Sequence, residues 1–178
     1  GDVYKRQIYD QMMEEFAGRP YYISTKIDGT SVTMYRKNGK FGVCCHENEV
    51  KEDDTTKSFL WDIARKLDLE NRMTAMHLDN IAIQGELAGP KIQKNRLQLL
   101  KHQWLVFTIK DLSTGHRLSL NQMLDIANDL GLTTVPIEET GENLQDKYPT
   151  LDSLLERAKG IIKVGRKKKV LLSDLEFQ

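Results

Sequence analysis

Between Tyr21 and Cys44 the chain strings together short β-segments with no room between them for a helix. Tyr21 to Ile27 is aromatic and β-branched, which suits a strand. Ser31 to Arg36 alternates polar and apolar residues, the pattern of a strand with one buried face. Asn38-Gly39 follows, a pair that takes up the left-handed conformations of a tight hairpin, and Phe41 to Cys44 returns. Such a stretch forms an antiparallel meander and excludes an all-helical fold.

The rest of the chain mixes helical and strand patterns. A short helix through Met12, Met13 and Phe16 is expected to end at Gly18-Arg19-Pro20. Acidic Glu47 to Asp54 reads as a loop, and Thr55 to Leu69 as one helix with Leu60, Ile63, Ala64 and Leu67 on its inner face. Strands are expected at Ile81 to Leu87 and Trp104 to Ile109. A helix starts at the cap Ser119 and stops at Gly131. Thr134 to Ile137 reads as an edge strand because Pro136 cannot donate to a ladder. A last helix is expected from Thr150 to Gly160. Without regular βαβ alternation, the fold class is α+β, antiparallel sheets flanked by helices. The expected divisions are an N-terminal helix or lead-in (1–20), a main domain (21–162) and a basic tail (163–178) that reads as non-native.

Composition excludes several functions. In 178 residues, 26 Lys and Arg balance 26 Asp and Glu, so the chain is not a basic nucleic-acid coat, although a basic groove is compatible. Cys44 and Cys45 are adjacent, which is poor disulfide geometry and points to a reducing, cytoplasmic location. They also lack the paired spacing of a zinc site, so no metal is assigned to them. No run of about 18 apolar residues is present, so no membrane association is expected. Neither a P-loop nor a Gly-x-Gly-x-x-Gly fingerprint occurs.

The chemically informative segment is Lys26-Ile27-Asp28-Gly29-Thr30-Ser31. A lysine is a poor nucleophile while protonated, with an ordinary pKa of about 10.4. Neighbouring cations or desolvation free the amine for covalent attack, and Gly29 would let the backbone approach a ligand closely. Taken alone, this segment also reads as a surface turn. Two more segments bear on it. Gly85-Glu86 ends a strand with a carboxylate able to accept hydrogen bonds from a ribose diol. Phe107 lies in a strand where an aromatic can stack on a base. Trp104 is its rival for that role, although Trp61 and Trp104 both read as core residues.

Together these segments resemble the nucleotidyltransferase domain of ATP-dependent RNA ligases, the nick-sealing phage and RNA-editing type. That domain belongs to the covalent nucleotidyltransferase superfamily, which also holds DNA ligases and capping enzymes. Lys26 to Ser31 is similar to the family's first motif, and Gly85 to Asn95 to its Gly-Glu-x-x-Gly-Pro-x-Ile-Gln-x-Asn segment. Phe107 falls on its base-stacking aromatic. The resemblance implies that Lys26 attacks the α-phosphorus of ATP and carries AMP, with Mg²⁺ as the metal. It implies that Glu86 holds the ribose, Phe107 stacks on adenine and Ser31 lies near the nucleotide. The AMP would then activate a 5′-phosphate RNA end for joining to a 3′-hydroxyl, as in RNA repair. The family places an arginine after the third strand. Here the chain reads Cys44-Cys45-His46, which makes His46 a candidate phosphate or RNA contact, with Lys91, Lys94 and Arg96 as a candidate basic strip. The family's fourth motif, Glu-Gly-x-Val, should follow the last helix. No Glu-Gly pair appears after Gly160, so the domain is expected to be incomplete at its C-terminus. A non-catalytic nucleotide- or RNA-binding module and a DNA ligase or capping enzyme remain as alternatives.

Overall fold

The computed structural model describes residues 1–95, 97–158, 161–164 and 168–171. Arg96, Gly160, Arg166, Lys167 and the residues beyond 171 lie outside the described residues, and with them most of the basic tail.

The chain begins with α1 (Asp2–Phe16), much longer than the short helix expected, and Gly18 beyond it has a φ of 66°. β1 (Tyr21–Ser24) stops short of Ile27. The meander follows as β2 (Thr30–Lys37) and β3 (Lys40–Cys45), joined by Asn38 and Gly39 with φ of 52° and 75°. Both angles are positive, as a two-residue hairpin turn requires. Part of the expected acidic loop instead forms β4 (Asn48–Val50), bonded to β3 through Val43, Cys44 and Cys45.

The expected helix from Thr55 to Leu69 is two helices, α2 (Ser58–Lys66) and α3 (Leu69–Ala75). Asp68 between them is left-handed, with φ 54° and ψ 36°, which breaks the helical path. The break lets Leu60 and Ala64 of α2 and Leu69 and Met73 of α3 all reach one core. β5 (Ile81–Ala88), β6 (Gln103–Asp111) and α4 (Leu120–Asp129) come next. Ser119 caps α4 through a reciprocal box with Gln122, and Gly131 ends it at a φ of 70°.

The single edge strand expected around Pro136 is instead two. β7 (Thr133–Thr134) pairs with β6, whereas β8 (Ile137–Gly141) pairs with β1. Pro136 has no N–H to continue a ladder, so the chain changes sheets there. The last described elements are α5 (Leu144–Lys147), α6 (Leu151–Ala158), and β9 (Ile161–Val164) paired antiparallel with β10 (Lys168–Leu171). Among the described residues no helix is long and apolar enough to cross a membrane.

These elements form two compact units, residues 28–135 and residues 1–27 with 136–178. The first of these is built on a six-stranded sheet ordered β4-β3-β2-β5-β6-β7. Its neighbours run antiparallel, as expected, except that β7 runs parallel to β6. One face carries the core. Val32 and Met34 of β2, Val43 and Cys45 of β3, and Ile83 and Leu87 of β5 pack against α2, α3 and α4. Alternation along the strands therefore turns Ser31, Thr33, Gln84 and Glu86 to the opposite face.

The other unit pairs β1 with β8 and packs Tyr9, Met12 and Met13 of α1 with Tyr21, Leu144, Tyr148 and Leu154. Its polar centre is Glu139. That carboxylate accepts hydrogen bonds from Tyr21 Oη at 3.0 Å and Tyr148 Oη at 2.7 Å, and Arg157 Nε lies 3.5 Å away. Burial pushes the Glu139 carboxyl up, but Tyr148, Tyr21 and Arg157 outweigh it and hold the group below the usual carboxylate range. Glu139→Gln removes the charge and weakens both tyrosine bonds. It is expected to cost about 2 kcal/mol, read as a lowered urea midpoint at neutral pH. Because the folded-state pKa is depressed, this stabilisation is present above about pH 4.3. It is lost as the pH falls through the folded value.

The tyrosines act in the opposite direction at alkaline pH. Burial first, and then the hydrogen bond to Glu139, push Tyr21 up to about 12. Burial does the same, in direction, for Tyr9 and Tyr148. A raised folded-state pKa gives stability that is complete below about 10 and falls as pH rises toward the folded value. Unfolding free energy is therefore expected to decline from pH 10 to 12. In Tyr21→Phe, which has no proton to lose there, the slope should be shallower in denaturant titrations across that range.

Candidate nucleotide site

The turn Asp28-Gly29 enters β2 beside the end of β5. A Cβ on Gly29 would lie 2.2 Å from the Leu87 carbonyl oxygen and 3.2 Å from Glu86 Cγ. A side chain at this position would thus meet the neighbouring strand, a constraint that the sequence did not reveal. This contact presses the turn onto the segment that carries Glu86. Ser31, two residues into β2, lies directly opposite Glu86 in the ladder. Both stand on the sheet face away from the core; Ser31 is exposed and Glu86 partly so.

Phe107 is placed by an irregularity in β6. Gln84 pairs with Thr108 and Gly85 with Val106, leaving Phe107 as the extra residue of a bulge. Trp104, Val106 and Ile109 all enter the core, whereas Phe107 is half-buried and outside it. Trp104 is not a stacking platform. It is 5% exposed, lies flat over Gly85, and donates its indole N–H to the Val32 carbonyl at 3.1 Å. Trp61 likewise donates to the Val50 carbonyl, at 2.6 Å.

His46 follows β3 in a left-handed conformation, φ 51°, with Nε2 3.2 Å from Thr30 Oγ1. This draws the imidazole to the turn that contains Gly29. Lys91 and Lys94 are exposed on the loop that leaves β5. Asn95 braces that loop by exchanging two hydrogen bonds with the Leu99 backbone, at 3.0 and 3.1 Å, and His102 reaches the Pro90 carbonyl at 2.8 Å. Cys45 is buried in the core and Cys44 half-buried; burial, with Glu49 and Cys45 nearby, pushes the Cys44 thiol up and keeps it protonated at neutral pH.

Lys26 lies in the other unit, exposed, just after β1. Its neighbour Thr25 is held by two contacts. Its N–H donates to the Pro136 carbonyl at 2.9 Å and its hydroxyl to Glu138 at 2.5 Å. Ser31, Glu86, Phe107 and His46 all belong to residues 28–135. One residue on the same face went unnoticed in the sequence. Thr108 is a lone hydroxyl within the apolar run Trp104 to Ile109, and that pattern was its available signal.

The RNA ligase family profile matches residues 19–169. The chain belongs to the RNA ligase family. Solved structures of a Naegleria gruberi RNA ligase share its fold. A variant in the apo form is 25% identical with a TM-score of 0.76, covering 89% of this chain and 46% of that one. A variant with ATP and Mn is 26% identical over the same shares, also with a TM-score of 0.76. A variant with AMP and Mn is 27% identical, with a TM-score of 0.72 over 84% of this chain and 44% of that one. The chain thus spans less than half the length of these RNA ligases. Among curated proteins, none matches it.

Proposed function

We propose that this member of the RNA ligase family is the adenylyltransferase part of an ATP-dependent RNA ligase. The observation that carries the proposal is the pairing of Ser31 with Glu86 on the outer sheet face, with the Gly29 turn packed against Leu87 and Glu86 of the same strand. The Lys26 amine attacks the α-phosphorus of ATP. A nitrogen–phosphorus bond forms, the bond to the bridging oxygen breaks, and pyrophosphate leaves. The Glu86 carboxylate accepts hydrogen bonds from the ribose hydroxyls, Phe107 stacks on adenine, and Ser31 lies beside the nucleoside. A 5′-phosphate oxygen of RNA then attacks the lysine-bound phosphorus and releases the amine. Attack by a 3′-hydroxyl on the activated 5′-phosphate finally joins the ends and expels AMP.

Phosphoryl transfer of this kind relies on positioning and on cations beside the phosphates. The described residues hold no group of three or more His, Cys, Asp or Glu side chains fit to take a metal ion alone. We take the divalent ion to be Mg²⁺, which would be held chiefly through the nucleotide's phosphates and would neutralise charge there. His46, Lys91 and Lys94 are the cations and donors we assign to phosphate or RNA. The adjacent free thiols support a reducing, cytoplasmic setting, and we take the role to be RNA repair.

The test is intact-mass measurement of the full-length gene product after incubation with ATP and Mg²⁺. A gain of one AMP, lost again on adding pyrophosphate, is expected. No gain with ATP, or a gain only with GTP, defeats the proposal. Joining of 5′-phosphate and 3′-hydroxyl ends in RNA but not in an all-DNA nick separates RNA ligation from DNA ligation.

A further inference from the structure

Thr108 is 3% exposed, and its Oγ1 is buried without a hydrogen-bond partner. Its position follows from the bulge. Val106 and Ile109 both enter the core, three residues apart, so Thr108 falls on the other face of β6, opposite Gln84. Gln84 is two residues from Glu86 on β5, and the extra residue of the bulge, Phe107, adjoins Thr108. The orphaned hydroxyl therefore lies on the face assigned to the nucleotide, next to the aromatic assigned to its base. Burying a hydroxyl without a partner costs stability, and valine would fill the same volume without that cost. A hydrogen bond made in the ligand-bound state would offset that cost.

We propose that Thr108 is a further nucleotide-binding residue, its hydroxyl taking its missing hydrogen bond from the nucleoside that stacks on Phe107. Because Oγ1 has less than 1 Å² exposed, loading the nucleoside rotates the threonine about χ1 toward the ligand. The inference rests on the adenylyltransferase reading above. It adds a neutral hydrogen-bonding group to the nucleoside site, beyond the charged Glu86.

The test compares wild type, Thr108→Val and Thr108→Ser in thermal melts without ligand and in calorimetric titration with AMP, which cannot charge the lysine. Thr108→Val should melt about 2–4 °C higher than wild type and bind AMP about fivefold more weakly, the loss of one neutral hydrogen bond. Thr108→Ser should bind AMP as wild type does. A purely structural threonine gives a different pattern: a lower melting temperature in the valine variant with AMP affinity unchanged. Either of those results overturns the inference while leaving the adenylyltransferase reading intact. A wild type that neither binds AMP nor gains its mass from ATP overturns both.

Discussion

Lys26→Ala is expected to abolish the AMP adduct. The covalent step requires an unprotonated nitrogen at the phosphorus, and alanine supplies none. Lys26→Arg should fail equally. It keeps the positive charge, so weakened ATP attraction is not the cause, but its guanidinium stays protonated at any working pH and is not a nucleophile. Intact mass after incubation with ATP reads both variants directly, and the adduct should drop at least about a thousandfold, to background. Their melting temperatures should stay close to that of wild type, since Lys26 is exposed. Adduct formation by Lys26→Arg would place the nucleophile on another residue.

The second large effect is expected at Gly29, where no chemistry takes place. A methyl group there meets the Leu87 carbonyl oxygen at 2.2 Å and its carbon at 2.9 Å. Both are backbone atoms of β5, which is bonded to β2 on one side and β6 on the other. The sheet cannot easily yield, so the turn must move away. Overpacking of this kind costs about 1–3 kcal/mol. Moving the turn by about 1 Å displaces what it carries, and a misplacement of that size costs about a hundredfold in rate. Gly29→Ala should therefore lose most of its adenylylation rate while still folding, measured by single-turnover labelling with ATP beside a denaturant titration. Normal labelling in a folded Gly29→Ala protein would show that the contact with Leu87 does not position the site.

The two predictions differ in how far their basis was legible in the sequence. Lys26 and Glu86 were picked out by residue type and local context, because an amine after a strand and a carboxylate beside small residues carry their chemistry in their own side chains. Gly29 was read as room for a ligand, and the structure adds a constraint of its own. A glycine in a turn announces a close approach, but not what approaches, and here it is a carbonyl of a strand more than fifty residues away. The helix break at Asp68 was hidden for a related reason. The apolar spacing through Leu60, Ala64 and Leu67 runs on unbroken, and only packing against the sheet shows that Leu69 and Met73 need a new helix axis. The strand at Asn48 was masked by acidic composition, because its partners Cys44 and Cys45 supply the ladder.

What the sequence by itself determined were the local properties: the Asn38-Gly39 hairpin, the Ser119 cap, and most of the strand and helix periods. These depend on backbone preferences and functional groups within a few residues of each other. Tertiary structure alone decided that Ser31 faces Glu86, that Pro136 divides two sheets, and that Phe107 stands out of register as a bulge beside the buried Thr108. Strand pairing joins segments far apart in the chain, and a single extra residue reverses which face every later side chain occupies.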